Sequence, residues 1–536
     1  MSRSTEPSPT AGLAGLWAFR GVMLALVFYV GVLTPRRDND WEGDAWEHHR
    51  AILALTETLW KPGNPTFATD EPSIRYSPYS VALALLCLAT RMDPYDAMTL
   101  AAVLNTLLLC VGVRMFLRAY GHADAAATTL LVMVGLTGVN WYANTYGLSA
   151  LPMVQANPSA FAFALTLWAW SRFREDADGR WTWRRPLLIT VLTAVATLSH
   201  AMTGVACLIG LAVVGMTGPT PRRHRMLVTS AAVAAVTLLL GALWPWYDFI
   251  GALTKTTPNA QWDWFQPWIL TQMLTEWCGP AILLSVCALP MRDRQIVRTC
   301  LLGGGVLFAL AVTSYVTRSA VTARFPMVGV FFLHVAIGLF VRECGLLHWR
   351  TWPGRLGRLL DPDWRIAARP VLELVVCLVF LSTLGPQIRS LAREPHPAAG
   401  YLARLLGRPD GYQDVKRRLD RLLTDVGRRD VVLSDVVTSW PIPSSRGRIV
   451  SAAHLEYFSP DQARRYRDVL SFFSADDDAV RREVLDRHHV RWIVLHKRRL
   501  GAKGFAPLLE PSAVVRQDGD LVLMDAEVWK KARRNT

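Results

Sequence analysis

Long apolar runs alternate with short polar segments along the first 390 residues, and the pattern changes after that point. About 20 consecutive apolar residues are needed to span a bilayer as a helix. A shorter apolar run, residues 77–90, predicts a helix that dips into one leaflet without crossing. We predict about eleven membrane helices, at residues 13–33, 97–117, 124–143, 158–172, 186–200, 203–217, 227–247, 279–291, 296–316, 325–342 and 370–390.

The arginines and lysines between the apolar runs predict the orientation of these helices. With 77–90 not crossing, the loops on one side hold 19 Lys and Arg residues, whereas the short loops on the other side hold four. Positive residues collect on the cytoplasmic side of a membrane. We therefore predict that residues 34–76, the first outer loop, and the segment after residue 390 lie outside the cytosol. The continuous run 186–217 has arginines at both ends, so a hairpin broken at Ser199-His200 is expected.

Residues 391–536 have a different pattern, which predicts a small α/β domain. Short β-branched runs bounded by polar residues indicate strands at 430–436, 491–496 and 520–525. Helices are predicted at 410–427, 460–474 and 476–489. No glycine-rich phosphate loop or metal-ligand spacing occurs there, so binding or packing is favoured over catalysis. We therefore divide the chain into a transmembrane module, 1–390, and an extracytoplasmic domain, 391–536.

Composition and charge exclude two classes of protein. Only 19% of the residues are charged and the mean hydropathy is +0.22, whereas soluble proteins carry about 25% charged residues. An ordinary cytosolic enzyme is therefore excluded. The net charge of +15 lies largely at the ends of apolar segments, where membrane topology explains it. We predict a multi-pass protein of a bacterial cytoplasmic membrane that contacts membrane lipid and no nucleic acid.

The first outer loop, residues 34–76, carries the most informative polar pattern. Five acids fall within residues 38–47, and the segment from Asp44 to Trp60 has one apolar side, as expected of a helix lying along a membrane surface. Glu47 and His48 follow Asp44 by three and four positions, which places them on one helix face. Clustered carboxylates repel one another, so they are solvated, bound to a cation or used in a reaction. A solvated acidic loop is the alternative to a functional site.

The order of elements along the chain is distinctive. A first helix is followed at once by a long acidic outer loop, then by surface helices, an aromatic-proline step, further spans and an outer domain. The motifs in this order are Asp38-Asn39-Asp40, Gly43-Asp44-Ala45-Trp46-Glu47-His48 and Tyr76-Ser77-Pro78-Tyr79. Together they resemble the GT-C superfamily of membrane glycosyltransferases. The resemblance covers the whole architecture and does not assign a subfamily.

The resemblance implies transfer of a sugar from a polyprenyl-phosphate donor to a hydroxyl of a glycan, lipid or protein acceptor, with inversion. An attacking hydroxyl needs a general base, and a carboxylate can serve. Asp44 is the first choice of base and Asp40 the second, with Glu47 and His48 orienting the base or binding the acceptor. Many relatives have two acids in direct sequence, whereas Ala45 follows Asp44 here. The choice between Asp40 and Asp44 therefore stays open.

A departing lipid phosphate needs positive charge and hydrogen-bond donors. Arg318 and Arg324, in one short outer loop, are the first candidates, with snorkelling at a helix end as the alternative. Arg75 is the next candidate. His200 lies between two apolar runs, where an ionisable group indicates either function or a structural hydrogen bond.

No cofactor is required by the sequence. If a divalent cation takes part, the oxygen ligands of Asp40 and Asp44 suit Mg²⁺ or Mn²⁺. Two other functions fit the membrane architecture: a transporter or flippase of lipid-linked sugars, and a non-catalytic scaffold of the same fold. Transporters often show internal repeats and charged helices at the membrane midplane. The acids here are instead concentrated in one loop, which favours the transferase.

Overall fold

The structure is a computed structural model, and its described residues fall into two compact units, each built from separate chain segments. The first, called the helical unit, comprises Met1–Thr34, Thr99–Leu243 and Trp262–Ala399, and the second, called the mixed unit, comprises Pro35–Met98, Trp244–Gln261 and Gly400–Thr536. The ranges described are 9–34, 44–137, 146–178, 183–254, 267–291, 294–317, 322–344, 364–391, 415–451 and 461–534.

Most described residues up to 391 are helical. In chain order the helices are α1 (Pro9–Leu33), α2 (Asp44–Glu57), α3 (Pro78–Thr90), α4 (Pro94–Arg118), α5 (Ala126–Gly135), α6 (Leu151–Val154), α7 (Pro158–Asp178), α8 (Arg184–Ser199), α9 (Ala201–Met216), α10 (Arg223–Ala242), α11 (Phe249–Thr254), α12 (Pro267–Gln272), α13 (Gly279–Leu284), α14 (Gln295–Thr317), α15 (Pro326–Cys344) and α16 (Trp364–Leu391). A π-helical segment, Met273–Trp277, lies between α12 and α13.

The later residues form short helices around five strands. The helices are α17 (Val415–Leu422), α18 (Ile442–Ser445), α19 (Gln462–Ser474), α20 (Asp478–Arg487), α21 (Lys497–Phe505) and α22 (Ala526–Ala532). The strands are β1 (Val431–Leu433), β2 (Arg448–Ile449), β3 (Val490–His496), β4 (Val514–Asp518) and β5 (Leu521–Asp525).

Six helices in the described part of the chain are long and apolar enough to cross a membrane. A bent pair, Leu270–Trp277 and Gly279–Leu289, adds a seventh if it counts as one span. Every one of the eleven predicted segments overlaps a helix, but several of these helices are too short or too charged to qualify alone, so the count of eleven is not confirmed. The six are Leu13–Leu33, Pro94–Arg118, Thr220–Ala242, Gln295–Thr317, Thr322–Cys344 and Val371–Arg389.

The helical unit is built around α15. The span that contains α15 is 94% buried inside the protein, and α14 and α5 pack against it. Phe331 and Phe332 of α15 form aromatic contacts with Phe116 of α4 and Trp170 of α7. A helix that is apolar all round is expected at the centre of a bundle, and this one occupies that place.

The predicted hairpin at 186–217 is present as two packed helices. Helix α8 ends at Ser199 and α9 begins at Ala201, because His200 adopts an extended conformation with φ −153° and ψ 97°. Gly204 allows the close approach at this bend, since a Cβ atom there would collide with Thr197. The sequence break at Ser199-His200 therefore marks a real change of chain direction.

The five strands form one sheet in the order β2-β1-β3-β5-β4. Strand β1 runs parallel to β2 and β3, whereas β5 is antiparallel to β3 and β4. Side chains alternate between the two faces, so Ile493 and Leu495 join one apolar core while Trp492 and Val494 join another. The sheet is therefore buried on both faces.

The predicted strands correspond to β1, β3 and β5, and the predicted helices 460–474 and 476–489 correspond to α19 and α20. The predicted helix 410–427 corresponds in part to α17, and its first residues lie outside the described ranges. Strands β2 and β4 were not predicted. β2 has only two residues and β4 alternates half-buried with exposed positions, so neither shows the continuous apolar run of a central strand.

Candidate active site

Helix α2 of the mixed unit carries the predicted acidic residues that the structure describes. It begins at Asp44, whose side chain is exposed, and Asp44 and Glu47 both lie in its first turn. The positive end of the helix dipole stabilises carboxylates in this turn. Asp40 lies outside the described residues, so its proximity to Asp44 stays a prediction.

Glu47 is held between two partners in the same unit. Its carboxylate forms an ion pair with Arg75, and its Oε1 accepts a hydrogen bond of 2.9 Å from the indole nitrogen of Trp440. Trp440 also meets Trp46 edge to face, with ring centroids 5.6 Å apart. Glu47 is only 8% exposed, and a buried carboxylate needs such pairing. Arg75, predicted to bind phosphate, is therefore paired with Glu47 in this structure.

His48 is a buried neutral imidazole. Burial lowers the pKa of His48 from 6.5 to about 4, and the nearby carboxylate of Asp44 opposes this shift. Its Nδ1 has no hydrogen-bond partner among the residues that the structure describes. At neutral pH, His48 can therefore donate or accept one hydrogen bond but brings no positive charge.

A loop beyond α2 connects this helix to the C-terminal segment of the same unit. Three consecutive carbonyl oxygens of the loop each accept a hydrogen bond from a buried or half-buried side chain: Gly63 from Tyr76 Oη, Asn64 from Arg448 Nη1 and Pro65 from Arg50 Nε. Burial and the neighbouring Arg50 lower the pKa of Arg448 to about 10. It remains protonated at neutral pH, so both guanidinium groups hold the loop.

The same loop contributes to the sheet and its core. The carbonyl of Thr66 accepts a 2.9 Å hydrogen bond from the backbone of Ile449 in β2. Phe67 is fully buried among residues of α17 and the sheet, including Leu419 and Val432. Helix α2 and the C-terminal α/β segment therefore belong to one folded unit. Sequence reasoning missed this link, because the only signal was a single aromatic residue, Phe67, in a polar loop.

His200 and Arg324, two predicted phosphate ligands, contact neighbouring residues at the start of α9 in the helical unit. The Nδ1 of His200 lies 2.7 Å from the hydroxyl of Thr203 and accepts a hydrogen bond from its backbone. The guanidinium of Arg324 lies 3.7 Å from the sulfur of Met202. Arg318 lies outside the described ranges.

A small cavity in the helical unit is lined by Thr203, which contacts His200, and by Val328. Apolar side chains form most of its wall, with Gln155 and Ser159 as polar members. Neither His200 nor Arg324 lines this cavity, whose volume of about 10 Å³ is too small for a ligand.

No metal site can be built from the described part of the chain. Within it, no three His, Cys, Asp or Glu side chains group closely enough to hold a metal ion. Asp40, one of the two predicted ligands, is not among these residues. The expectation of Mg²⁺ or Mn²⁺ therefore stays a prediction.

Comparison with solved structures gives the fold. The oligosaccharyltransferase from Archaeoglobus fulgidus, in a complex with Zn and sulfate, matches with a TM-score of 0.55 at 12% identity over 91% of this chain and 69% of that chain. The structure of AglB from the same organism with an inhibitory peptide and a dolichol-phosphate matches with a TM-score of 0.51 at 12% identity, over 91% of this chain and 70% of AglB.

A second neighbour comes from Mycobacteria. The arabinofuranosyltransferase AftD matches with a TM-score of 0.50 at 14% identity, over 89% of this chain but only 35% of AftD. No family model matches the sequence, and no curated protein sequence matches it. Both neighbours are GT-C glycosyltransferases, and the predicted resemblance to this superfamily is confirmed at the level of the fold.

Proposed function

We propose that this chain, which has the GT-C fold, is a membrane glycosyltransferase that uses a polyprenyl-phosphate sugar. The acceptor hydroxyl oxygen attacks the anomeric carbon, and the bond from that carbon to the lipid phosphate oxygen breaks. The hydroxyl proton passes to a carboxylate, and the lipid phosphate leaves as an anion. Attack opposite the leaving group inverts the anomeric centre.

The observation that carries this proposal is the exposed carboxylate of Asp44 in the first turn of α2, the helix that follows the first span. Of the two acids in that turn, Glu47 is buried and paired with Arg75. A base must reach the acceptor proton within hydrogen-bond distance, and exposure makes Asp44 the better candidate. Asp40 is the second candidate. In this proposal, Glu47 and His48 hold in position the face of α2 on which Asp44 lies.

His200 and Arg324 are proposed to bind the lipid phosphate, together with Arg318. Their support is that both side chains contact residues at the start of α9, Thr203 and Met202 respectively. Arg75 is a weaker candidate for binding the phosphate, because Glu47 already balances its charge. An arginine that stabilises a phosphate leaving group contributes through charge-assisted hydrogen bonds.

The proposed setting is the outer face of a bacterial cytoplasmic membrane, with a glycan, lipid or protein as acceptor. Dolichol-phosphate and peptide complexes of AglB support a lipid-linked donor without identifying the lipid or the acceptor. If a chelator lowers the activity, a divalent cation bound by Asp40 and Asp44 takes part in the reaction.

The test uses the purified full-length protein with a panel of polyprenyl-phosphate sugars, with and without chelator. We expect release of lipid phosphate, with turnover lower by about 10²–10⁴-fold in Asp44→Asn or Asp40→Asn, as for removal of a general base. Asp70→Asn, in the same loop, is the control and should retain turnover. Movement of the lipid across vesicles without sugar transfer would indicate a flippase. Full turnover in both Asp variants would overturn the base assignment.

A further inference from the structure

Three tryptophans of the mixed unit form a cluster that the proposed reaction does not use. Trp60, just beyond the end of α2, meets Trp246 edge to face with ring centroids 5.4 Å apart. Trp246 in turn lies against Trp244, with centroids 4.7 Å apart. The indole nitrogens of Trp244 and Trp246 each donate a 2.9 Å hydrogen bond to a carbonyl, of Tyr76 and Leu59 respectively. The two inner rings are therefore fixed.

The outer member of the cluster is exposed. Trp60 is 57% exposed. Lys61, the next residue, is exposed as well and has φ 54°, a left-handed conformation that is uncommon outside glycine. A fixed aromatic platform thus presents one polar indole edge and one ammonium group together.

Two members of the cluster directly follow a membrane span along the chain. Trp244 and Trp246 follow α10 within four residues, and the span that contains α10 is only 33% buried inside the protein. Leu239 of this span is 58% exposed, and Leu243, the residue after it, is 68% exposed. Trp244 is the residue after Leu243. Tryptophan is enriched where a span meets the lipid headgroups.

We propose that Trp60, Lys61, Trp244 and Trp246 form a docking surface for the headgroup layer of the membrane at the end of α10. The exposed indole of Trp60 enters this layer and donates its N–H to lipid oxygens, and Lys61 pairs with lipid phosphate. Because Trp60 follows α2 by three residues, the surface fixes the height of α2 above the bilayer. The docking does not depend on the proposed reaction.

A phospholipid surface is favoured over a soluble glycan, although aromatic rings also stack on sugars. Lipid covers the exposed apolar side chains of α10 when the span is in a membrane, and Trp244 lies only two residues beyond the end of this helix in the chain. A glycan site would need polar groups around the rings to fix sugar hydroxyls. In the described structure, the N–H groups of the inner rings are instead occupied by backbone carbonyls.

The first experiment places the full-length protein in phosphatidylcholine nanodiscs, with or without bromine on the acyl chains near the headgroup. Bromine quenches tryptophan on contact. The difference between the wild-type and Trp60→Phe emission gives the emission of Trp60. We expect the brominated lipid to quench this difference at least about twofold. Trp492, which is buried in the sheet, is the control. Its emission, obtained in the same way from Trp492→Phe, should be the same with and without bromine on the lipid. Equal quenching of Trp60 by water-soluble acrylamide in nanodiscs and in detergent would overturn the proposal.

A second experiment reports depth from a label placed outside the cluster. The native cysteines are buried or half-buried, so a spin label attaches selectively at exposed Thr58 in Thr58→Cys. The ratio of the label's accessibility to oxygen to its accessibility to a water-soluble nickel chelate should fall when Trp60→Ala is added. A lower ratio would show that the label has moved toward water. An unchanged ratio would overturn the proposal. So would a shift of Trp60 emission by soluble mannose or arabinose oligosaccharides with no response to brominated lipid.

Discussion

Neighbouring ionisable residues of α2 have different environments, although the sequence places them within one turn of each other. Asp44 is exposed, Glu47 is buried in an ion pair with Arg75, and His48 is buried and neutral. A general base has to reach the acceptor proton within hydrogen-bond distance, and the burial of Glu47 hinders this. At the residue scale, accessibility therefore separates a candidate base from residues that support it.

The stability of the mixed unit is expected to fall in mild acid because of His48. Its pKa is lowered from 6.5 to about 4 on folding, so the unfolded chain binds a proton between these values while the folded chain does not. His48 therefore leaves the free energy of unfolding unchanged above pH 6.5 and lowers it by about 2 kcal/mol at pH 5. Thermal unfolding between pH 7.5 and 5 measures this. The effect should disappear in His48→Gln, and an identical pH dependence in that variant would refute it.

At the element scale, α2 is a short helix that depends on its neighbours. Isolated helices of about 14 residues are marginal in water, and α2 has 14 residues. Packing against α3 and α18, together with the Glu47–Trp440 hydrogen bond, holds it in place. The C-terminal segment therefore positions the acidic helix, a role that its own sequence does not indicate.

Trp440 is expected to act as a positioning residue. Trp440→Phe keeps the ring contact with Trp46 but leaves a buried oxygen of Glu47 without its donor, at a cost of about 1–3 kcal/mol. A shift of α2 should lower kcat about 10-fold with little change in donor KM. The matched control is Trp492→Phe, which loses a similar hydrogen bond to Asp430 within the sheet. Equal kcat values in the two variants would argue against positioning.

Phe67 is expected to contribute strongly to the stability of the mixed unit. Its ring is fully buried in the core below the sheet, and truncation of such a ring to alanine costs about 3–5 kcal/mol. Limited proteolysis should therefore release the C-terminal segment more readily in Phe67→Ala, and less so in Phe67→Leu. The control Val515→Ala alters a side chain that is 45% exposed. Wild-type resistance in Phe67→Ala would show that the loop is dispensable.

At the scale of the whole molecule, the two units are interleaved along the chain. The first outer loop, which follows the first span, folds with residues that come after the last span. The mixed unit can therefore form only if both segments reach the same side of the membrane. This agrees with the orientation that the positive-inside rule predicts.

Reporter fusions test that orientation. A fusion after residue 400 should report an exterior location, and a fusion after Asp178, in an arginine-rich loop, should report a cytoplasmic one. The first outer loop should react with an impermeant reagent at an introduced Thr58→Cys. A cytoplasmic result after residue 400 would contradict both the topology and the proposed outward-facing reaction.

The sequence by itself determined the helical membrane architecture, the break at His200 and three strands of the sheet. These features depend on local hydrophobic periodicity and chain-breaking residues, which are written within a few consecutive positions. The division into residues 1–390 and 391–536 came from composition and stays a prediction. Only the tertiary structure showed that Phe67 belongs to the C-terminal core and that Glu47 contacts Trp440. Such contacts join residues hundreds of positions apart, and no local pattern encodes which distant partner a buried side chain will meet.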